Sequence, residues 1–352
     1  MGELCSPILH RRIAMKLYIN ENLDPYFNLA AEEYLIRHTD DDIAMLWRNS
    51  PAVIIGKNQN AFCEVDLDFT RTHDIAVVRR LTGGGAVFHD PGNINFTFIS
   101  PPHGALSEGI QAGGLDFAHF CAPILDALRA IGVDASLSGR NDIVADGRKI
   151  SGNAQCVLDG VTMHHGTLLF SAELARMQGA LRADPAKLHS KGIASVRSRV
   201  ANIADLQSKV TGAEEFLACL TYALEQRYSV TAERFTDDMT AQIRALAEEK
   251  YASDAWNLDR MGTFDMTRRK RFPYGSVEIS LTVKNGRMEE IRITGDFFGV
   301  RDASGLAEQL RGTAYRREAA AQKLAEIPVG DYIFGAESAD LLAILFDSDV
   351  VL

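Results

Sequence analysis

Cysteine is scarce in this chain: Cys5, Cys63, Cys121, Cys156 and Cys219 lie far apart, and no C-x-x-C pair occurs. That spacing argues against structural zinc and suits a reducing compartment. No stretch of 18 apolar residues is present, so no membrane-spanning helix is expected. Residues 1–15 include His10, Arg11 and Arg12 but no apolar core of signal-peptide length. The protein is therefore expected in the cytoplasm with no membrane partner, and residues 1–15 are expected to be a disordered extension. Lys and Arg number 37 against 47 Asp and Glu, a formal charge of −10, and no basic run carries interleaved aromatics. Nucleic acid is thereby disfavoured as a partner, and the basic residues that matter should be local.

What is present is ample apolar material, 46% of 352 residues, enough for a sizeable core and for more than one domain. Residues 16–19 read as a strand, and Asp24-Pro25 opens a helix with Leu29, Tyr34, Leu35 and Ile36 at apolar positions. Short strands follow at 44–47, 52–55 and 75–78, then at 86–89 and 93–99 across the turn Asp90-Pro91-Gly92. A helix fills 113–131, where Phe117, Phe120, Ile124, Leu125 and Leu128 recur at helical spacing. Three more strands, 142–145, 148–158 and 161–170, are joined at Asp146-Gly147 and Asp159-Gly160, the pair that type I′ hairpins favour. The pattern predicts an α+β fold, a mixed, largely antiparallel sheet with packed helices. Residues 174–201 loosen into a surface segment, helices resume at 212–227 and 239–250, and a second unit begins after Trp256. It carries a hairpin around Asn285-Gly286, with strands at 277–283 and 288–294, and helices near 305–310, 318–326 and 339–346.

The most informative segment is Arg79-Arg80-Leu81-Thr82-Gly83-Gly84-Gly85-Ala86-Val87-Phe88-His89. Three glycines after a β run let the backbone approach a ligand and present N–H groups to an anion, and Arg80 offers a planar fork to phosphate or carboxylate. A glycine triplet alone is equally well a flexible turn. No Gly-Lys-Ser/Thr follows, so it is not a P-loop, and it is not a dinucleotide fingerprint. The phosphate reading needs a second element. Gly139-Arg140-Asn141-Asp142, then Gly147-Arg148-Lys149-Ile150-Ser151-Gly152-Asn153-Ala154, then His164-His165-Gly166-Thr167 supply one. Lys149 sits on a strand between glycines that keep bulk away from it; by itself it is an edge lysine in solvent. Asn141 and Asp142 by themselves are a strand-entry turn. His164 and His165 face opposite sides of a strand, so they do not form one metal site.

Together these segments resemble the lipoate–protein ligase A family of bacterial type, within the fold group that includes biotin ligases and octanoyltransferases. The likeness extends through Trp47-Arg48-Asn49, Ile55-Gly56-Lys57-Asn58-Gln59-Asn60, and Lys191-Gly192-Ile193 to Val196-Arg197-Ser198-Arg199-Val200. It implies a catalytic domain over residues 16–250 and a small α/β accessory domain over 255–352. It also implies that lipoate's carboxylate attacks the α-phosphate of ATP, giving lipoyl-AMP and pyrophosphate, and that the acyl group then moves to a lysine of an acceptor protein. Two anions must meet, and a unit repulsion at about 4 Å is on the order of 4 kcal/mol at an effective dielectric near 20. By the resemblance, Lys149 bridges the lipoyl carbonyl and the α-phosphate. Arg80 and the backbone of residues 85–88 (Gly85, Ala86, Val87, Phe88) hold the nucleotide, with Gly83 and Gly84 shaping the loop. Trp47, Arg80, His89 and Lys149 line the lipoate site, with Asn141, Asp142, Gly152, His165 and Thr167 in support. Trp47 is either a tunnel wall or a core aromatic, and Asp142 either supports Mg²⁺ or hydrogen-bonds with Asn141. An apolar tunnel gains ~0.8 kcal/mol per buried CH₂, roughly 3 kcal/mol for lipoate's four methylenes. The segment at 191–200 closes over the adenylate or faces an acidic acceptor.

The acceptors implied are the lipoyl domains of 2-oxoacid dehydrogenase E2 subunits, the glycine-cleavage H protein, or both. The nearest rival is a lipoyl or octanoyl transferase working through a cysteine thioester, for which Cys156 is the candidate. A rival of another class is a non-catalytic lipoate-binding or assembly protein, which retention of Arg80 and Lys149 disfavours. Biotin ligation is disfavoured because a Gly-Arg-Gly-Arg loop is absent.

Overall fold

The computed structural model describes residues 13–108, 115–139, 141–182, 200–207, 209–258 and 264–347. The first strand, β1 (Ala14–Asn20), begins two residues ahead of the expected one. Met15 is 3% exposed and belongs to the core, so Ala14 and Met15 do not belong to a disordered extension.

Among the described residues, eleven strands build two sheets in the first unit. After β1 come β2 (Ile43–Trp47), β3 (Ala52–Ile55), β4 (Ala76–Arg79), β5 (Val87–His89) and β6 (Asn93–Ser100). Then follow β7 (Ala135–Ser138), β8 (Asp142–Ala145), β9 (Arg148–Leu158), β10 (Val161–Leu169) and β11 (Ser229–Glu233). The large sheet runs β11-β1-β2-β6-β10-β9-β8-β7, and β4-β3-β5 form a small one. Only the β1–β11 and β1–β2 pairs of the large sheet are parallel, which makes it the mixed, largely antiparallel sheet expected. Asp146-Gly147 and Asp159-Gly160 turn with positive φ at both residues, as type I′ hairpins require.

Alternation sends the two faces of β2 into different cores: Ala44 and Leu46 pack with helices Phe117–Ala130 and Ala213–Arg227, while Ile43, Met45 and Trp47 pack under helix α1 (Pro25–His38). The large sheet is thus the middle of three layers. Helix α1 starts where the sequence signals it: Asp24 caps the Tyr26 N–H, Pro25 takes the first turn, and Arg37 and His38 sit at the negative end. It is buried on nearly every side, polar residues Asn28, Glu32 and Glu33 included.

The unit after residue 264 adds β12 (Met266–Phe272), β13 (Gly275–Lys284) and β14 (Arg287–Gly295), an antiparallel sheet with its own apolar core against helices Ala303–Leu310 and Ser338–Phe346. The expected hairpin turns at Asn285-Gly286, φ 49° and 70°. Strand β12 was not anticipated, because Thr-Arg-Arg-Lys-Arg reads as solvated; it is an edge strand with polar residues outward. Strands β7 and β11, both short and half-exposed at sheet edges, were likewise not anticipated. The loosened stretch opens with a helix, Leu174–Ala180. The expectations on Arg140 and on the closing segment at 191–200 lie outside the described residues, apart from Val200.

The units meet at the glycine loop. Gly84 N–H donates to the Phe297 carbonyl, Gly295 N–H to the Asn58 carbonyl, and Lys57 pairs with Asp302 at 2.7 Å. Lys57 holds the Asp302 carboxyl well below the usual carboxylate range against the opposing effect of burial.

Candidate active site

A cavity lies between α1, the small sheet and the α1 face of the large sheet. One register row crosses its floor: Trp47 on β2 opposes Asn95 on β6, Asn95 opposes Thr167 on β10, and Thr167 Oγ1 accepts the Gly152 N–H of β9 at 3.2 Å. Gly152 in turn opposes Asp142 on β8. Trp47, Leu29, Ile54 and Val87 make one end apolar, and Lys149 with Asn141 makes the other polar.

Strict alternation would turn Lys149 away from Gly152. A β-bulge prevents this: Ile143 opposes Ser151 but Val144 opposes Lys149, so Ile150 is an extra residue and Lys149 regains the cavity face. Its ammonium pairs with Asp142 at 2.7 Å, and a Cβ placed on Gly152 would lie 2.8 Å from it, so the glycine does clear space for this side chain. Val200 bridges to Lys149, and the Ala201 N–H donates to the Lys149 carbonyl. The chain leaving residues 183–199 is therefore anchored beside the lysine.

The arginines play parts the sequence does not reveal. Arg79 is fully buried and donates to the carbonyls of Gly56, Gln59, Trp256 and Asn257, fastening the loop to the helix that ends the first unit. Arg80 lines the cavity, yet it donates to Thr82 Oγ1 and to the carbonyls of Ile54, Gly83 and Gly85. Three of its five N–H groups thus hold its own loop in shape, and a fourth ties it to β3. Burial lowers its pKa to about 10, partly opposed by the Glu32 charge, and leaves it cationic at neutral pH.

The loop itself divides. Gly85, Ala86 and Val87 line the cavity, whereas Gly83 and Gly84 face the second unit, where a side chain on Gly83 would meet the Phe297 carbonyl. Gly84 carries φ +90° and its N–H is taken by Phe297, so it does not point at an anion in this arrangement. Phe88 turns the other way, 2% exposed in the apolar cluster behind β3, as alternation along β5 dictates; any part it has in a ligand site is through its backbone.

Beneath the cavity runs a hydrogen-bond chain built on Glu32, a residue that sequence reasoning missed. Trp47 Nε1–H donates to Thr97 Oγ1 at 2.9 Å, and Thr97 donates to Glu32 at 2.7 Å. Glu32 also accepts from His165 Nδ1 at 2.8 Å, and His165 Nε2 meets Thr82 Oγ1 at 2.8 Å. Thr82 Oγ1 also accepts from Arg80 Nε–H. The chain thus couples the Glu32 carboxylate to the Arg80 guanidinium through His165 and Thr82. Trp47 is both cavity wall and buried core. His164 faces the other layer, stacked on Phe120 at 5.0 Å with Cys121 Sγ 3.7 Å from its Nε2, and burial keeps it neutral. Asn28 and Glu32, four residues apart on an otherwise apolar helix, were the readable signal for this polar layer.

No group of three or more His, Cys, Asp or Glu placed to hold a metal exists among the described residues. Among the described residues Asp142 offers a carboxylate at the polar end, and a Mg²⁺ ion that takes most ligands from phosphates and water needs no more. Cys156 is 8% exposed within the α1-side core, and burial pushes its thiol up to about 12, the reverse of what a nucleophile requires.

An apolar slot ending at a lysine–carboxylate pair, floored by an antiparallel sheet, is a site for a chain-like acid with an anionic head. Comparison with known proteins narrows this. The model of the lipoyl protein ligase A/B catalytic domain matches residues 24–225, and that of the bacterial lipoate protein ligase C-terminus matches 262–345. The chain is 39% identical over 333 residues to lipoate-protein ligase LplJ of Bacillus subtilis, covering 93% of this chain and 98% of that one. Its fold is similar to that of LipL1 of P. falciparum, TM-score 0.74 at 23% identity over 94% of this chain and 97% of that chain. It is also similar to a lipoate-protein ligase A solved with ATP, TM-score 0.59 at 26% identity over 71% of this chain and 100% of that chain. The chain belongs to the lipoate–protein ligase family and is an enzyme of the ligase class.

Proposed function

We propose that this cavity activates lipoate with ATP and then hands the lipoyl group to a lysine of a lipoyl-domain acceptor, either an E2 subunit of a 2-oxoacid dehydrogenase or the glycine-cleavage H protein. The chain is an ATP-dependent lipoate–protein ligase of the cytoplasm. The observation that carries the residue assignment is the bulge that brings Lys149 to the polar end of an otherwise apolar slot, beside Asp142.

In the first half-reaction a carboxylate oxygen attacks the α-phosphorus and pyrophosphate leaves. The Lys149 ammonium stands where the two anions meet, and its charge lowers the repulsion most in the crowded transition state. The N–H groups of Gly85, Ala86 and Val87 cradle phosphate oxygens, with Arg80 fixing the loop behind them. Asp142 would hold Mg²⁺, which supplies neutralisation of the pyrophosphate charge. Asn141, Gly152 and Thr167 position Lys149, and His165 and Glu32 hold the floor. The alkyl tail lies along the row toward Trp47, with His89 at its end. In the second half-reaction the acceptor's amine attacks the carbonyl carbon and AMP leaves. A thioester route through Cys156 is disfavoured by that thiol's burial and raised pKa.

Lys149→Ala is expected to lower lipoate-dependent pyrophosphate release by at least roughly a hundredfold. Its side chain is 33% exposed, so the melting temperature should shift by no more than a degree or two. Near-normal release by the folded variant would remove Lys149 from the mechanism.

A further inference from the structure

Two buried nitrogens that line the cavity have no hydrogen-bond partner among the described residues, and their chemistry separates lipoate from simpler acids of the same length. Both His89 Nε2 and Asn95 Nδ2 are buried without a partner, in residues 4% and 1% exposed that line the cavity beside Trp47. The Trp47 and His89 rings stand edge to face at 6.0 Å, and Trp47 is the register partner of Asn95.

That His89 presents a hydrogen there follows from a relay of three asparagines. The Asn28 side-chain NH₂ reaches the carbonyls of Asn22 and Arg48 at 2.7 and 2.9 Å, which fixes which end of that amide is the donor. The same NH₂ reaches Asn49 Oδ1 at 2.8 Å, so Asn49 must turn its own NH₂ toward His89 Nδ1, 3.0 Å away. His89 Nδ1 is then an acceptor, and the ring's single proton sits on Nε2, aimed into the cavity. Burial, with Arg80 and His165 nearby, keeps the ring neutral, its pKa lowered to about 3, so this tautomer holds across the working pH range. Asn93 Nδ2 donates to Asn95 Oδ1 at 2.8 Å, and Asn95 Nδ2 is left without a partner.

We infer that His89 and Asn95 form a donor subsite for the dithiolane sulfurs, so that the enzyme selects lipoate over straight-chain and carbocyclic acids. The inference rests on the ligase reading above. The row of residues gives the distance: from Gly152, beneath the Lys149 ammonium, to Asn95 is two strand spacings, about 10 Å. Five bonds separate lipoate's carboxyl carbon from the ring carbon that bears the first sulfur, so with ~1.5 Å bonds the sulfurs lie roughly 8 Å from the carboxyl carbon in the extended chain. A sulfur is a weak acceptor but an adequate one for an N–H that otherwise has none. An octanoyl methyl group leaves these buried nitrogens as unpaired as they are in the free protein, whereas a sulfur gives one of them an acceptor, so the selection works for the dithiolane. Asn49 acts through His89 and is a positioning residue.

The test compares kcat/KM for pyrophosphate release with lipoate, octanoate and 5-cyclopentylpentanoate, the last being lipoate's shape with methylenes in place of sulfur. The wild-type enzyme is expected to favour lipoate over the carbocyclic acid by roughly three- to tenfold, the worth of one net hydrogen bond. In His89→Leu and Asn95→Leu that ratio should fall toward unity. Asn49→Asp should move the His89 proton to Nδ1, visible in the imidazole ¹⁵N shifts, and lower the ratio with it. Equal use of lipoate and 5-cyclopentylpentanoate by the wild-type enzyme would overturn the inference and leave the ligase reading intact. Failure of every acid to release pyrophosphate would instead overturn the ligase reading, and the inference with it.

Discussion

At the scale of single residues, the chemistry of this chain lies less in its charged side chains than in how each is oriented by polar neighbours. Arg80 is tied into its own loop, and Glu32, absent from the motifs, joins Trp47, Thr97, His165 and Thr82 into one buried layer. Motif reading found Lys149, Asp142, Trp47, His89 and His165, all of which except Asp142 line the cavity, with Asp142 bound to Lys149 at its edge. Gly83 and Gly84, expected to shape the loop, face the second unit, and Phe88, expected to offer its backbone, turns its ring away from the cavity because β5 alternates. The buried histidines make a prediction of their own. His164 and His89 have folded pKa values below the ordinary 6.5, so below that pH the unfolded chain binds protons that the folded one does not. Their contribution is complete above pH 6.5 and is lost on acidification, by up to about 1.4 kcal/mol per pH unit for each. Urea unfolding between pH 7 and pH 5 should show that slope, and His164→Phe, which keeps the stack on Phe120, should flatten it by one histidine's share. An unchanged slope would mean that His164 is protonated in the fold.

At the scale of elements, the strands and helices carrying the site were readable because each has a local reason to form: Asp24-Pro25 for α1, and the Asp-Gly turns for the β8–β9 and β9–β10 hairpins. The bulge at Ile150 was not readable, since no glycine or proline marks it, and without it the lysine's face would be assigned wrongly. The edge strands escaped for other reasons: β7 and β11 alternate but are only four and five residues long, and β12 carries charged residues on both sides and loses the period-two signal. Strand β10 shows how tightly the floor is fitted. A Cβ on Gly166 would collide with Asn153 Oδ1 and the Phe96 ring, both in fully packed surroundings. Gly166→Ala is therefore expected to destabilise the protein by about 1–3 kcal/mol in chemical denaturation and to lower lipoate affinity, while Gly139→Ala, in open space, should leave the cavity unchanged. Gly139 has φ +62°, so its own cost comes from the backbone alone. Wild-type stability and lipoate affinity in Gly166→Ala would show that the floor yields.

At the scale of the whole molecule, two units with separate cores meet on the glycine loop. The contact is mostly backbone, Gly84 to Phe297 and Gly295 to Asn58, with the Lys57–Asp302 ion pair beside it and the Phe298 ring against Phe117 at 5.6 Å. Loop and second unit are thus held in one arrangement, which explains why two of the three glycines face away from the cavity. The chain-length organisation was legible as a change of pattern after Trp256, but that the second unit seats on the glycine loop was not, because the Asn58 and Phe297 groups involved are main-chain atoms without a side-chain signature. The central claim concerns the molecule entire: that an acid bound along the row from Trp47 to Asp142 is activated by ATP at Lys149. The most direct measurement is pyrophosphate release from ATP and Mg²⁺, with and without lipoate and with no acceptor present, followed by addition of a lipoyl domain. Release that depends on lipoate, and transfer of the lipoyl group once the domain is added, is the predicted result; no lipoate-dependent release, with acyl transfer from an acylated carrier protein in the absence of ATP, would contradict it.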